Sequence, residues 1–160
     1  MKYEQARELI KDGDVLAWSH RASPFASWYD FKIWLVRLFT RSEYSHVGIA
    51  LRFGGRVFVL ESVTGGIRLM PLSKCLPCYL IQDDHPFGEA EIERIMSVCG
   101  EPYSELEAVL GQLDETDDTN GKWQCSEAVR WAKLLPCKAT PSAVVSYLLF
   151  SGATLTEIQP

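Results

Sequence analysis

Ser45-His46-Val47-Gly48-Ile49-Ala50-Leu51-Arg52-Phe53-Gly54-Gly55-Arg56-Val57-Phe58-Val59-Leu60-Glu61-Ser62-Val63 is two apolar runs joined by a pair of glycines. Such runs, closed by two residues that accept positive φ, read as a β-hairpin of His46 to Phe53 and Arg56 to Val63. With Gly54-Gly55 as the turn, Phe53 pairs with Arg56 and Gly48 with Glu61. Alternate residues share a face, so His46, Gly48 and Ala50 line one side, and the two small residues leave room beside the ring. Glu61 then lies diagonally from His46 on that side, about 7–8 Å away between backbones, a gap a long side chain spans. Beside Val57-Phe58-Val59-Leu60 an unpaired carboxylate is costly, which favours a partner such as the imidazole. A three-residue loop would turn Glu61 to the other face. A strand-end glutamate in solvent is the plain alternative.

Working outward, Tyr3 to Lys11 reads as a short helix, with Tyr3, Ala6, Leu9 and Ile10 on one face, ended by Asp12-Gly13-Asp14. Asp14 to Trp18 is a short strand. Ser23-Pro24 opens a helix to about Thr40 that is apolar on most sides. After the hairpin, Gly65-Gly66 marks a turn, Ile67 to Pro71 a third strand and Tyr79 to Gln82 a fourth. Pro86 to Cys99 is a helix with Ile92, Ile95, Met96 and Cys99 on its buried stripe, stopped by Gly100. Tyr103 to Leu113 reads as a helix and the acidic Asp114 to Gly121 as an exposed loop. Cys125 to Leu135 is a helix ended by Pro136, with Ala128, Val129, Ala132 and Leu135 inward and Glu127, Arg130 and Lys133 outward. A last helix runs from Thr140-Pro141 to about Phe150. The expectation is one α+β domain over residues 1–160 with a central, mostly antiparallel sheet.

The 160 residues suit one domain, and 47% hydrophobic content supports a core without covalent staples. A net charge of −5 with no basic face argues against nucleic acid as a partner. Met1 to Ile10 has no apolar signal region, and the longest apolar run, Phe31 to Phe39, is short and carries Lys32 and Arg37. The expectation is a chain cytoplasmic as expressed, able to act at the cell envelope or touch a membrane surface but not to span it. Five cysteines, an odd number, favour free thiols in a reducing compartment.

Cys125 has a reactive setting. A polar loop delivers it to a helix N-terminus, where the dipole and a nearby imidazolium favour the thiolate. Burial alone also accounts for it, since free cysteine packs as a small hydrophobe. Cys75-Leu76-Pro77-Cys78 lacks the second Cys/His pair a zinc site needs and does not open a helix as redox pairs do, so no metal or cofactor is expected. Cys99 reads as core, and Cys137 has no partner by spacing. His20 and His85 read as structural or solvated. Phe25, Trp28, Tyr29, Phe31, Trp34, Leu35, Leu38 and Phe39 exceed one buried stripe. They fit either a helix buried on two sides or a surface for an apolar substrate, lipid or partner.

Gly13-Asp14-Val15-Leu16, Tyr44-Ser45-His46-Val47-Gly48-Ile49, Glu61-Ser62, Gly100-Glu101-Pro102-Tyr103 and Trp123-Gln124-Cys125-Ser126-Glu127 together resemble the circularly permuted papain-like hydrolases of the NlpC-type superfamily. The branch is YiiX-like and related to the lecithin:retinol acyltransferase group. The resemblance covers about Asp12 to Leu149, and the His-Val-Gly-Ile and Cys-Ser-Glu blocks are its most specific parts. It implies a permuted papain-like fold, with the nucleophile on a helix of the C-terminal half packed against the sheet. It also implies Cys125 as nucleophile, His46 as general base and acid, Glu61 as the imidazole's orienting partner, and Tyr103 and Trp123 beside the substrate. Acyltransferase relatives commonly carry a second histidine in the third role, so Glu61 leans this chain toward the hydrolases.

The leading expectation is a cysteine hydrolase of peptidase or amidase type. It would cleave an amide or ester, in a peptidoglycan-type peptide or an acylated lipid or protein, through an acyl-enzyme. A lipid-directed acyltransferase or thioesterase and a non-enzymatic binding module on the same fold are the rivals.

Overall fold

The computed structural model describes residues 1–19, 43–102 and 123–160. The expected helix from Ser23-Pro24 to Thr40, the helix Tyr103 to Leu113, the acidic loop Asp114 to Gly121, His20 and Tyr103 lie outside the described residues.

The elements are α1 (Tyr3–Ala6), β1 (Val15–Trp18), β2 (His46–Phe53), β3 (Arg56–Val63), β4 (Gly66–Pro71), a 3-10 turn at Leu72–Lys74, β5 (Cys78–Gln82), α2 (Glu89–Ser97), α3 (Cys125–Lys133), α4 (Pro141–Phe150) and β6 (Thr154–Ile158). The strands form one sheet ordered β4-β3-β2-β1-β5-β6, and every ladder in it is antiparallel. The hairpin closes as expected. Gly54 and Gly55 take φ of 55° and 76°, values an L side chain resists, and Phe53 pairs with Arg56.

The sheet is buried on both faces, so its central strands read as nearly continuous apolar runs. Val15, Ala17, Val47, Ile49, Leu51 and Leu60 pack under Ile95 of α2, Ala128, Val129 and Ala132 of α3, and Val144, Val145 and Leu148 of α4. On the other face Leu16, Ala50, Val57, Val59 and Leu80 meet Ala6, Ile10, Leu72 and Ile158. Chain direction and burial together place His46, at the start of β2, at one end of this sandwich.

Several expectations change. The first helix stops at Ala6, with Leu9 N–H donating to the Ala6 carbonyl at 2.8 Å in the tighter turn that follows. α2 ends at Ser97, which leaves Cys99 outside the helix and exposed. The third strand starts at Gly66 because the turn is Thr64-Gly65, and Val63 pairs with Gly66. β6 was not anticipated. It has only Ile158 buried, and it is held by its ladder to β5.

Glu127 and Lys133 do not point out. Glu127 is buried and turns back to accept the Gln124 N–H at 2.8 Å, supplying the missing acceptor at the start of α3. The Lys133 side chain is only 4% exposed, paired with Asp83 at 3.0 Å and donating to the Gly13 carbonyl at 3.0 Å. A cation at that end of α3 complements the helix dipole. Nor is there room beside Gly48. A Cβ there would sit 2.5 Å from Val59 Cγ2 and 2.8 Å from the Leu60 carbonyl oxygen, so this glycine permits close packing of β3 rather than a vacancy.

Candidate active site

The β2–β3 ladder runs from the turn to Ile49↔Leu60 and stops there. His46 and Glu61 lie just past its end, in the register expected from the Gly-Gly turn. Their side chains meet: His46 Nε2 is 2.9 Å from Glu61 Oε2. The carboxylate is an acceptor when ionised, so the Nε2 proton lies in this bond.

Where the ladder stops, the start of α3 enters. Ser62 Oγ donates to the Trp123 carbonyl at 2.6 Å. Trp123 N–H donates to the Pro102 carbonyl at 3.1 Å. Ser126 Oγ donates to the Ala139 carbonyl at 2.7 Å. These bonds fix both sides of Cys125. Its sulfur lies beside the His46 ring and the backbone N–H groups of Val47 and Ser126, near enough for all three to favour its thiolate. With Nε2 held by Glu61, Nδ1 is the ring nitrogen left for the sulfur.

The electrostatics follow from these contacts. Burial works against a thiolate at Cys125, but the charge and hydrogen bond of His46 and the two backbone donors outweigh it and hold the thiol below its ordinary range. Burial likewise works against an imidazolium at His46. The charge and hydrogen bond of Cys125, then those of Glu61, outweigh it and push the imidazole up to about 10. Glu61 is buried, which favours its neutral form, yet His46 and then Arg68 hold its carboxyl below the usual range. The three shifts run in one direction, toward thiolate, imidazolium and carboxylate. A thiolate is the nucleophilic form of cysteine.

Two neighbours were not singled out in the sequence. Trp18 faces His46 across the β1–β2 ladder. Its ring lies 5.3 Å from the imidazole at 44°, and its indole N–H is fixed to the Cys75 carbonyl at 2.6 Å. Arg68 on β4 pairs with Glu61 on β3 and donates Nη2 (2.9 Å) and Nε (3.1 Å) to Glu61 Oε1. The signal for Arg68 was an opposite charge across the second hairpin, legible once the turn is set at Thr64-Gly65.

Trp123 is half-buried two residues before Cys125, with its ring 6.0 Å from that of the exposed Trp131. Gln124 is 9% exposed, and its amide nitrogen has no hydrogen-bond partner. Burial raises the thiols of Cys75 and Cys78, the latter to about 12, so neither favours the thiolate.

No family model matches the chain, and no curated protein matches it. Among solved structures its fold is similar to the metalloprotein yiiX from Escherichia coli O157:H7 (DUF1105), with a TM-score of 0.52 and 20% sequence identity. The match covers 77% of this chain and 64% of that one. The two therefore share a mixed α/β fold over less than two thirds of the length of yiiX. Among the described residues no group of three or more His, Cys, Asp or Glu side chains is placed to hold a metal ion.

Proposed function

We propose that this chain is a cysteine-dependent hydrolase that cleaves an amide or ester through an acyl-enzyme on Cys125. One observation carries the reading: the Glu61 carboxylate grips the His46 ring, and the Cys125 sulfur lies beside that same ring. Resting thiolate and imidazolium are the two reagents acyl transfer needs, a nucleophile and a proton donor.

In this mechanism the Cys125 sulfur attacks the carbonyl carbon and the carbonyl electrons move to oxygen. The Cys125 backbone N–H, at the positive end of α3, is the natural donor to that oxyanion. The intermediate collapses as the imidazolium protonates the departing amine or alcohol, leaving a thioester. Neutral His46 then takes a proton from water, which attacks the thioester. The acid is released and the ion pair restored. Glu61 holds the ring so that one nitrogen always faces the sulfur.

The substrates proposed are peptidoglycan-type peptides or acylated lipids and proteins. The test is labelling with a thiol-directed acyl probe, followed by turnover of peptide and lipid panels. Wild type should label once, at Cys125, and Cys125→Ala should neither label nor turn over. Equal labelling and turnover in the variant would remove the proposal. Transfer of acyl groups to an amine acceptor, with no cleavage of muropeptides, would replace it with the acyltransferase reading.

A further inference from the structure

Glu61 divides its two oxygens between two strands. Oε2 serves His46 on β2, and Oε1 takes both bonds from Arg68 on β4. A carboxylate that met only His46 could rotate about its last bond and offer either oxygen, because that torsion is broad. The two-pronged grip on Oε1 removes this freedom, since any rotation breaks two charge-assisted bonds at once.

Magnitudes separate positioning from stability. The Arg68 side chain is 52% exposed while Glu61 is 7% exposed. A pair with one partner so open to water adds little to the stability of a fold. Its hold on the direction of a buried carboxylate does not weaken in the same way, because the carboxylate itself is out of water.

We propose that Arg68 is a positioning residue of the site: it locks the Glu61 carboxylate in the one orientation that aligns His46 with Cys125. This rests on the hydrolase reading above. Among the described residues, the charged and titratable groups around Glu61 are His46 from β2, Arg68 from β4, Cys75 from the segment after the 3-10 turn and, through His46, Cys125 from α3. Arg68 is the one among them that holds a single carboxylate oxygen with two donors.

The experiment compares wild type, Arg68→Gln and Arg68→Lys by carboxyl-carbon NMR titration of Glu61 and by pH-dependent kcat and KM on the best substrate. In Arg68→Gln the Glu61 titration and the acid limb of kcat should both rise by about one pH unit. Its kcat should fall roughly tenfold with KM within about twofold, the pattern of an interaction that acts on the transition state. Arg68→Lys restores the charge without the fork, so Glu61 should titrate near its wild-type position while kcat stays reduced. An unchanged Glu61 titration and acid limb in Arg68→Gln overturns the inference. So does a selective rise in KM, which would make Arg68 a substrate contact. A wild type without Cys125-dependent labelling sinks the hydrolase reading alone, since the Glu61 titration still reports on Arg68.

Discussion

His46 and Glu61 belong to neighbouring strands of a hairpin, yet the backbone ladder between those strands ends at Ile49↔Leu60 before it reaches them. Their junction is made by side chains alone, through the 2.9 Å contact of Nε2 and Oε2. That contact supplies orientation and charge where no backbone bond does.

Replacing Glu61 with Gln keeps the shape and removes the charge. Glu61 is one of the groups that raise His46, so its loss lowers the imidazole from about 10 toward neutrality. The alkaline limb of the pH–rate profile should move down accordingly. The rate should fall by up to roughly 10⁴-fold, the loss that follows when the orienting carboxylate of a catalytic triad is neutralised. A profile with its alkaline limb unmoved would show that Glu61 does not act on His46.

Alkylation reads the thiolate directly. With the Cys125 thiol held low, the rate with iodoacetamide should stay high as pH falls below the ordinary thiol value of 9.0. In His46→Ala the ring's charge and hydrogen bond are gone and burial pushes the thiol up. Reaction should then weaken at neutral pH and recover only in alkali. Equal rates for both proteins at pH 6 would rule out the ion pair.

Gly48 should not tolerate a side chain. The Cβ of Gly48→Ala meets a backbone carbonyl, which cannot swing aside as a side-chain end can. A cost of about 1–3 kcal/mol is expected from overpacking of this kind. Urea denaturation gives the energy, and the His46–Glu61 contact should loosen as β3 is pushed outward. Wild-type stability in the variant would mean that the strands part at no cost.

Gln124 carries a buried amide nitrogen without a partner. An unmade hydrogen bond in the interior costs about 1–3 kcal/mol. Gln124→Met, similar in shape and apolar, should therefore raise the unfolding free energy by about 1 kcal/mol. Loss of stability in that variant would show that the amide is satisfied in solution.

What the sequence discloses here follows the range of each interaction. Gly54-Gly55 sets a turn, the turn sets a register, and the register puts Glu61 beside His46; every step spans a few residues. The Cys125 helix start is local as well. Lys133 is different: it reads as an outward residue on its own helix, and partners far off in sequence, Asp83 and Gly13 among them, draw it inward. Arg68 hid behind one residue of turn position, because placing the turn at Gly65-Gly66 sets it opposite Val63 instead of Glu61. Cys99 had the right period for a stripe, but α2 ended before reaching it. β6 has little apolar pattern of its own and exists through the ladder that β5 offers.

The Val47 amide lies past the end of the β2–β3 ladder and beside the Cys125 sulfur. It therefore reports a different event from its neighbours. Opening of the hairpin would release the amides of Ile49 or Leu51 only with the sheet, whereas undocking of the start of α3 would release Val47 alone. Hydrogen exchange at this single amide, set against the rest of β2, measures how often the two halves of the site separate while the protein stays folded.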